Sequence, residues 1–284
     1  MLVEKQYSIA SGQLATIEFG DCQSAEVSVV FLHGWLDNAA SFFSVMEALS
    51  AQSASIYGCA VDFPGHGLSS PKTPHSYYPF HDYIDDIFQL LSKISPNKLI
   101  LVGHSLGALV ASCYSAAFPD QVAGLVQIEG AGPLSESAEH GVTRLRQGVM
   151  SRQRLRRKPV RYFSSLEHMI ERRAQINDLP KPLIEPIVAR GALQEESGWR
   201  WRHDIALQAD SLYRMSDAQA AEINSAISCP NLIILGDQGY PHLRKKAQAK
   251  ECFGEVMTVK GGHHCHLQQP FRVSSLIFGL VNKI

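Results

Sequence analysis

The sequence lacks an excess of charge of either sign, and it lacks long hydrophobic runs. Its 26 Lys and Arg residues nearly balance 27 Asp and Glu residues, giving a formal charge of −1. Nucleic-acid-binding domains usually carry a basic excess, and a membrane span needs roughly 18 uninterrupted apolar residues. The composition therefore predicts no nucleic-acid partner and no membrane span.

The sequence also shows neither a CxxC cysteine pair nor a first segment that resembles a signal peptide. The six cysteines are scattered without a CxxC pair, which in a chain of this length indicates ordinary reduced thiols. The first 20 residues lack the charged start and the continuous apolar stretch of a signal peptide. Since 45% of the 284 residues are apolar, a folded core is expected rather than disorder. We expect a soluble, cytoplasmic monomer or homodimer.

The sequence does contain an alternation of short apolar runs with helix-like stretches. The strand-like runs are Leu14–Phe19, Val27–Leu32, Ile56–Val61, Leu99–Val102, Val122–Ile128, Asn231–Leu235 and Val256–Lys260. The helix-like stretches are Ser41–Leu49, Phe80–Ile94, Ser105–Phe118, His242–Glu251 and a last one from Phe271. Strands that alternate with helices predict βαβ units and a mostly parallel sheet in an α/β fold.

The alternation stops between residues 133 and 228. This stretch is polar, helical in character and interrupted by prolines, and it holds 13 of the 15 arginines. Its formal charge is +3, against −8 for residues 1–132 and +4 for residues 229–284. We interpret residues 133–228 as a helical cap on the carboxyl edge of the sheet. The remaining residues, 1–132 and 229–284, then form one core domain.

The strongest chemical signal is the segment Leu99–Ala108, a strand followed by Gly103-His104-Ser105-Leu106-Gly107 and a helix of small residues. In a sharp strand-to-helix turn, a serine hydroxyl is pushed clear of the backbone, and flanking glycines let the strand and helix approach. The helix N-terminus also favours developing negative charge. Gly-x-Ser-x-Gly is common by chance, but this placement predicts that Ser105 is a nucleophile.

A tetrahedral intermediate needs two backbone N–H donors aimed at its oxyanion. One is predicted to come from Leu106, directly after the nucleophile. The other is predicted to come from Trp35, because Val29–Leu32 ends in His33-Gly34-Trp35. Its indole is free to line a pocket or to pack in the core.

A general base must lie within reach of Ser105, and a late segment offers three histidines. His263, His264 and His266 follow a predicted strand, in the Ser…acid…His order of such enzymes. These residues and Cys265 are also competent metal ligands. A metal cluster is the less favoured interpretation, because the four are packed closely in sequence without an obvious distant partner.

These motifs resemble those of alpha/beta-hydrolase-fold proteins with a helical cap. The matching segments are His33-Gly34-Trp35, Asp62–Gly67, Gly103–Gly107 and His263–Pro270, with His33–Asn38 and Gln238–Tyr240 similar to the serine hydrolase-like branch. The resemblance implies an eight-stranded, mostly parallel sheet flanked by helices. Members often end in Gly-His-x-x-His-Leu-x-x-Pro with the first histidine catalytic, which implies His263 as the base and His264 as second choice. His66 and the rest of Asp62–Gly67 are interpreted as structural.

The acid departs from the family pattern. Many relatives carry it as Gly-x-x-Asp after the next-to-last strand, but here Gly239 stands at that position and Asp237 lies two residues early. The other position known in the fold is the end of the strand after the nucleophile helix, where this chain has Glu129. A charge that ends a buried strand needs a partner, and an imidazolium would supply one. We favour Glu129 over Asp237, although either carboxylate can serve merely to order its own turn.

A serine nucleophile indicates acyl transfer, whereas dehalogenases and epoxide hydrolases of this fold use an aspartate. The sequence thus predicts a serine carboxylesterase for small or medium esters, with neither cofactor nor metal. Thioesters, amides and carbon–carbon bonds remain open as substrates of the same residues. A ligand-binding receptor on a hydrolase scaffold is the alternative from another class.

The cap sequence suggests two further features. The run Arg144–Arg161 holds eight Arg or Lys residues and no acid; it is either a solvated helix face or a grip for an anionic substrate, such as an acyl-coenzyme A, or for a membrane. Five aromatic residues can wall an acyl pocket or form a core: Tyr162, Phe163, Trp199, Trp201 and Tyr213.

Overall fold

The computed structural model describes residues 1–284, and its main feature is one eight-stranded sheet. In chain order, the strands of the molecule are β1 (Val3–Ile9), β2 (Gly12–Phe19), β3 (Val27–Leu32), β4 (Ile56–Val61), β5 (Lys98–His104), β6 (Val122–Ile128), β7 (Ser135–Glu136), β8 (Ala192–Glu195), β9 (Gly198–Trp201), β10 (Met215–Ser216), β11 (Asn231–Gly236) and β12 (Glu255–Val259). The large sheet has the order β1-β2-β4-β3-β5-β6-β11-β12. β2 runs opposite to the other seven strands of this sheet, so the predicted α/β fold with a mostly parallel sheet is confirmed.

Ten α-helices accompany the strands. They are α1 (Phe43–Ser50), α2 (Asp82–Ile94), α3 (Leu106–Ala117), α4 (Gly141–Arg156), α5 (Leu166–Asn177), α6 (Lys181–Gly191), α7 (Asp217–Ser225), α8 (Pro241–Gln248), α9 (Cys265–Gln268) and α10 (Pro270–Val281). None of them combines the length and apolar character needed to cross a lipid bilayer.

The central strands are buried on both faces, which explains their continuous apolar runs. Along β3, Val29 and Phe31 face a cluster shared with α1 and α10, whereas Val30 and Leu32 face a cluster shared with α2 and α3. Because side chains alternate across a strand, one short run supplies both layers of the core.

Residues 133–228 form the four helices α4–α7, but they also contain short strands. The expectation that this stretch lacks strands is wrong for β8 and β9, which form an antiparallel hairpin, and for the two-residue pair β7 and β10. Strands of two to four residues are too short for an alternation signal to register. The division into a core and a cap at residues 133 and 228 stays a prediction.

The sheet order determines where chemistry can assemble. Strands β3, β5, β6, β11 and β12 are consecutive neighbours and parallel, so the loops after them all leave from one edge. The segments around Trp35, Ser105, Glu129, Gly239 and His263 follow these five strands. Such carboxyl ends are where open α/β sheets bind ligands.

Candidate active site

Ser105 occupies a strained turn between β5 and α3. Its φ and ψ are 51° and −114°, in a region that a residue with a side chain rarely adopts. Its N–H donates to the Ile128 carbonyl at 2.9 Å, which ties the turn to the end of β6. Strain of this kind persists only where the surroundings impose it, and it concentrates at functional sites. Leu36 and Glu129, which also lie on this edge of the sheet, likewise have positive φ, 60° and 49°.

The two glycines of the motif make the turn possible. A Cβ on Gly107 would lie 1.9 Å from the Leu32 carbonyl oxygen, and a Cβ on Gly103 would lie 2.3 Å from the Gly107 carbonyl carbon. Any side chain at either position would therefore separate α3 from β3 or from β5. Close backbone approach, rather than flexibility, is the reason for glycine here.

The loop after β3 places Trp35 at this edge. His33 is buried and structural, because its Nδ1 donates to the Gly34 carbonyl at 2.7 Å and its Nε2 accepts from the Phe63 N–H at 3.0 Å. Trp35 is 53% exposed, and its indole N–H donates to the Leu207 carbonyl at 3.0 Å. Leu106 begins α3, where backbone N–H groups have no partner within the helix.

Glu129 is almost completely buried at the end of β6, with 2% exposure. Its Oε1 accepts from the Gly236 N–H at 2.8 Å, and its Oε2 accepts from the Tyr240 N–H at 3.0 Å. Its own N–H donates to Ile234 at 2.9 Å. The loop after β11 thus holds the carboxylate in one orientation and satisfies its buried oxygens.

That carboxylate lies beside His263. The distance from Glu129 Oε2 to His263 Nδ1 is 3.4 Å, and the histidine side chain is 23% exposed while that of Glu129 is fully buried. The Tyr240 ring packs on the imidazole with centroids 4.2 Å apart. His104, which precedes Ser105, donates from Nε2 to the His263 carbonyl at 2.9 Å. The structure therefore brings the His263 and Ser105 turns together, and Glu129 lies on the Nδ1 side of the His263 ring.

Asp237 has different partners. It is exposed, and its Oδ1 accepts from the Gly261 N–H at 2.9 Å, which joins the loops after β11 and β12. No imidazole pairs with it. Gly239 explains the departure from the family pattern, because a Cβ there would lie 2.0 Å from Glu129 Oε1. The glutamate fills the space that a side chain at 239 would need.

His264 belongs to a second, more deeply buried group that sequence analysis did not find. Its Nε2 donates to Asp37 Oδ2 at 3.2 Å, and Arg173 of α5 donates to Asp37 Oδ1 at 2.6 Å. Burial by itself would raise the pKa of Asp37, but the charges of His264 and Arg173 hold it well below its usual value. Asp37 and His264 are 227 positions apart, so no local motif could have revealed the pair.

Two more buried imidazoles adjoin this group. The ring of His104 lies 4.2 Å from that of His266, centroid to centroid. Burial, with a smaller contribution from neighbouring imidazoles, lowers the pKa of His104 well below its normal value and that of His266 to about 3. Both rings are therefore neutral near pH 7. Of the consecutive residues weighed as a metal cluster, only His264 has its nitrogen grouped with ligand atoms of other residues, those of Asp37 and His104.

Other predicted features lie in or against residues 133–228. Phe163, Trp199 and Trp201 belong to the apolar cluster of this stretch, whereas Tyr162 and Tyr213 are exposed. The basic run is largely exposed along α4, and Arg144 is paired with Glu136. Buried Arg190 donates from Nε to Asp62 Oδ2 at 2.9 Å, so the Asp62–Gly67 turn anchors α6.

Comparison with known proteins agrees with this architecture. Residues 29–276 match the model of the alpha/beta hydrolase family. The human serine hydrolase-like protein 2 is 26% identical over 98% of this chain and 93% of its own. A hypothetical protein from Pseudomonas aeruginosa PAO1 superimposes with a TM-score of 0.86 at 28% identity, over 97% of this chain and 99% of that one. A thioesterase domain from the curacin biosynthetic pathway shares the fold, with a TM-score of 0.82 and 22% identity over 98% and 99% of the two chains.

The family model covers most of the chain, and the human relative agrees with the similarity of the motifs to the serine hydrolase-like branch. The chain belongs to the alpha/beta hydrolase family.

Proposed function

We propose that this hydrolase cleaves carboxylic esters of small or medium acyl chain length through Ser105, His263 and Glu129. The observation that carries the proposal is the 3.4 Å contact between the fully buried Glu129 carboxylate and the partly exposed His263 imidazole. A carboxylate behind an imidazole fixes the ring tautomer and stabilises the imidazolium formed when the serine loses its proton. The strained Ser105 turn beside it presents the hydroxyl for attack.

The chemistry is an acyl transfer in two steps. Ser105 Oγ attacks the ester carbonyl while His263 takes its proton, and the Trp35 and Leu106 N–H groups stabilise the oxyanion. His263 then protonates the departing alcohol, leaving an acyl group on Ser105. Water, deprotonated by His263, releases the acid and regenerates the serine. The polar contacts of the His263 residue are with Glu129 and His104; catalytic hydrogen bonds such as Ser–His often tighten only with substrate.

We propose further that residues 133–228 act as a cap that limits substrate size. Three contacts support this. The indole of Trp35 is bonded to Leu207, Arg173 is paired with Asp37, and Arg190 is paired with Asp62. Each joins residues 133–228 to a loop at the carboxyl edge of the sheet. A cap held at three points encloses a site better suited to short acyl groups than to long ones.

The test is the initial rate of hydrolysis of p-nitrophenyl esters from acetate to decanoate. We expect wild-type turnover with an optimum at short or medium chains and none above background for Ser105→Ala. Ser112→Ala is the matched control, since Ser112 lies in α3, the helix that follows Ser105, and donates to the Leu109 carbonyl; it should retain wild-type rates.

Labelling with a fluorophosphonate, followed by peptide mass spectrometry, identifies the nucleophile independently of the substrate. We expect modification of Ser105 and loss of labelling in Ser105→Ala. Labelling without ester hydrolysis would overturn the ester assignment while leaving the serine nucleophile in place. Equal hydrolysis by wild type and Ser105→Ala would overturn both.

A further inference from the structure

A compact group of potential metal ligands lies beside the proposed catalytic residues. Asp37, His104 and His264 each offer one ligand atom, and these atoms lie within 4.8 Å of one another. All three residues are buried, with exposures of 3%, 0% and 6%. They come from the loop after β3, the end of β5 and the turn after β12, so the fold itself brings the atoms together.

Hydrogen bonding leaves His104 with an unused ligand atom. Since a carbonyl oxygen can only accept, the contact with the His263 carbonyl requires His104 Nε2 to carry the proton. In the neutral ring, Nδ1 is then a bare lone pair. It is fully buried, it has no hydrogen-bond partner, and it faces Asp37 Oδ2 at 3.8 Å. Two lone pairs facing each other in the interior are unfavourable, and a cation between them would satisfy both.

The two distances from the Asp37 carboxylate to the histidines fit a small tetrahedral ion. Zn²⁺ with bonds of about 2.0–2.1 Å separates its ligand atoms by about 3.4 Å. The two distances from Asp37 Oδ2, 3.2 Å to His264 Nε2 and 3.8 Å to His104 Nδ1, lie on either side of this value. Gly34 leaves room next to the group, because a Cβ there would lie 2.8 Å from His104 Nδ1 and 3.3 Å from Asp37 Oδ2.

The hydrogen-bond partners of Asp37 and His264 also fit a metal site. Asp37 presents Oδ2 to the group while Oδ1 is held by Arg173 at 2.6 Å. His264 Nδ1 has a long contact of 3.5 Å with Asn177 Nδ2, and Asn177 Oδ1 is buried without a partner. Turning that amide would let Oδ1 accept a proton on His264 Nδ1, which frees Nε2 to bind an ion. A histidine ligand whose second nitrogen donates to an oxygen is the usual arrangement around metals.

We propose that Asp37, His104 and His264 form a binding site for one divalent transition metal ion, with Zn²⁺ the best match to two imidazoles and a carboxylate. When the ion binds, it takes the place of the proton on His264 Nε2, which is released to solvent while Nδ1 keeps its own proton; no redox change or co-reactant is involved. This differs from the metal-free expectation drawn from the sequence, and it uses His104 and Asp37 rather than the run His263–His266.

Binding of Co²⁺ tests the site without reference to activity, because tetrahedrally coordinated Co²⁺ absorbs in the visible range. Titration of the full chain at neutral pH should show one Co²⁺ per chain, displaced by Zn²⁺, and Zn²⁺ should raise the melting temperature by mass action. His104→Gln keeps a donor for the His263 carbonyl but removes Nδ1, and His264→Asn removes Nε2. Each should weaken binding by at least about 100-fold, more than loss of an outer partner costs.

His263→Ala and His140→Ala are the controls, because they remove a neighbouring and an exposed imidazole outside the group. Both should bind Co²⁺ like wild type. Gly34→Ala retains all three ligands but fills the space between them, so it should also abolish binding; it keeps the test valid if a ligand variant fails to fold. No wild-type saturation by about 1 mM Co²⁺, or unchanged binding by His104→Gln and His264→Asn, would overturn the proposal.

Discussion

Two consecutive histidines pair with buried carboxylates, yet their surroundings differ. His263 meets Glu129 at 3.4 Å and is 23% exposed, whereas His264 meets Asp37 at 3.2 Å and is 6% exposed. Backbone N–H groups satisfy Glu129, while Asp37 is also bound by the Arg173 guanidinium. A base that exchanges protons with a substrate must be accessible to that substrate. A buried histidine–carboxylate pair that also binds an arginine is suited to holding loops together. We call these the open pair, Glu129–His263, and the closed pair, Asp37–His264.

Replacing the histidine of each pair by alanine should produce the largest difference in activity between the two pairs. His263→Ala should lower kcat for ester hydrolysis by about 10⁴–10⁶-fold, because the serine loses its base. His264→Ala should lower it by less than about 100-fold, acting only through loop position. Steady-state kinetics on the best p-nitrophenyl ester measure both. Equal residual rates would contradict the distinction between the two pairs.

The acid of the open pair is tested by an isosteric change. Glu129→Gln should reduce kcat by about 10³-fold or more, since an amide cannot stabilise the imidazolium and favours the wrong tautomer. Asp237→Asn is the control, because Asp237 bonds a backbone N–H and no imidazole; its kcat should stay within about threefold of wild type. A larger loss for Asp237→Asn would move the acid to that residue.

The overlap between Glu129 and position 239 predicts that the acid can be moved. In Glu129→Gly the space next to Gly239 is empty, and Gly239 has no positive φ to forbid a side chain. Adding Gly239→Asp to Glu129→Gly should therefore restore kcat by about tenfold or more. In the wild-type background, Gly239→Asp should be damaging, because its Cβ would lie 2.0 Å from Glu129 Oε1.

Kinetics of the wild type, the two single variants and the double variant form a complete cycle. A change of sign for Gly239→Asp between the two backgrounds would establish that the positions compete for one space. A double variant no faster than Glu129→Gly would show that position 239 cannot supply the acid here.

The structure also shows which features of the fold and the site could be predicted from the sequence alone. The strand Val27–Leu32 was predictable because burial on both faces requires a continuous apolar run. The edge strand β1 was not, because most of its residues are exposed, and neither was the hairpin of β8 and β9. Local geometry made the Ser105 turn recognisable from a few residues around it.

Contacts distant in the chain were harder to predict. Glu129 and His263 are 134 positions apart, so the sequence left Glu129 and Asp237 as alternatives. The family pattern pointed to position 239. The overlap of a Cβ there with Glu129 explains why this position holds a glycine instead of an acid. No single motif links the members of the closed pair, because Asp37, Arg173 and His264 come from three loops or helices far apart in sequence.

Replacement of Asp37, the acid of the closed pair, should change activity least of all these variants but should clearly lower stability. Asp37→Asn leaves Arg173 and His264 without a carboxylate in a buried environment, which should cost about 3 kcal/mol, at the lower end for a broken buried pair because Arg173 keeps some solvent contact. The melting temperature should fall by about 6–12 °C, while kcat/KM changes by less than about tenfold at a temperature where the variant is folded. Glu129→Gln should have the opposite effects. Its stability should fall by only about 1–2 kcal/mol, for one lost backbone hydrogen bond, whereas most of its activity should be lost. Differential scanning calorimetry with ester kinetics on both variants measures the two effects. A melting temperature for Asp37→Asn equal to that of wild type would mean that this carboxylate does not hold the loops, and the division into an open and a closed pair would fail.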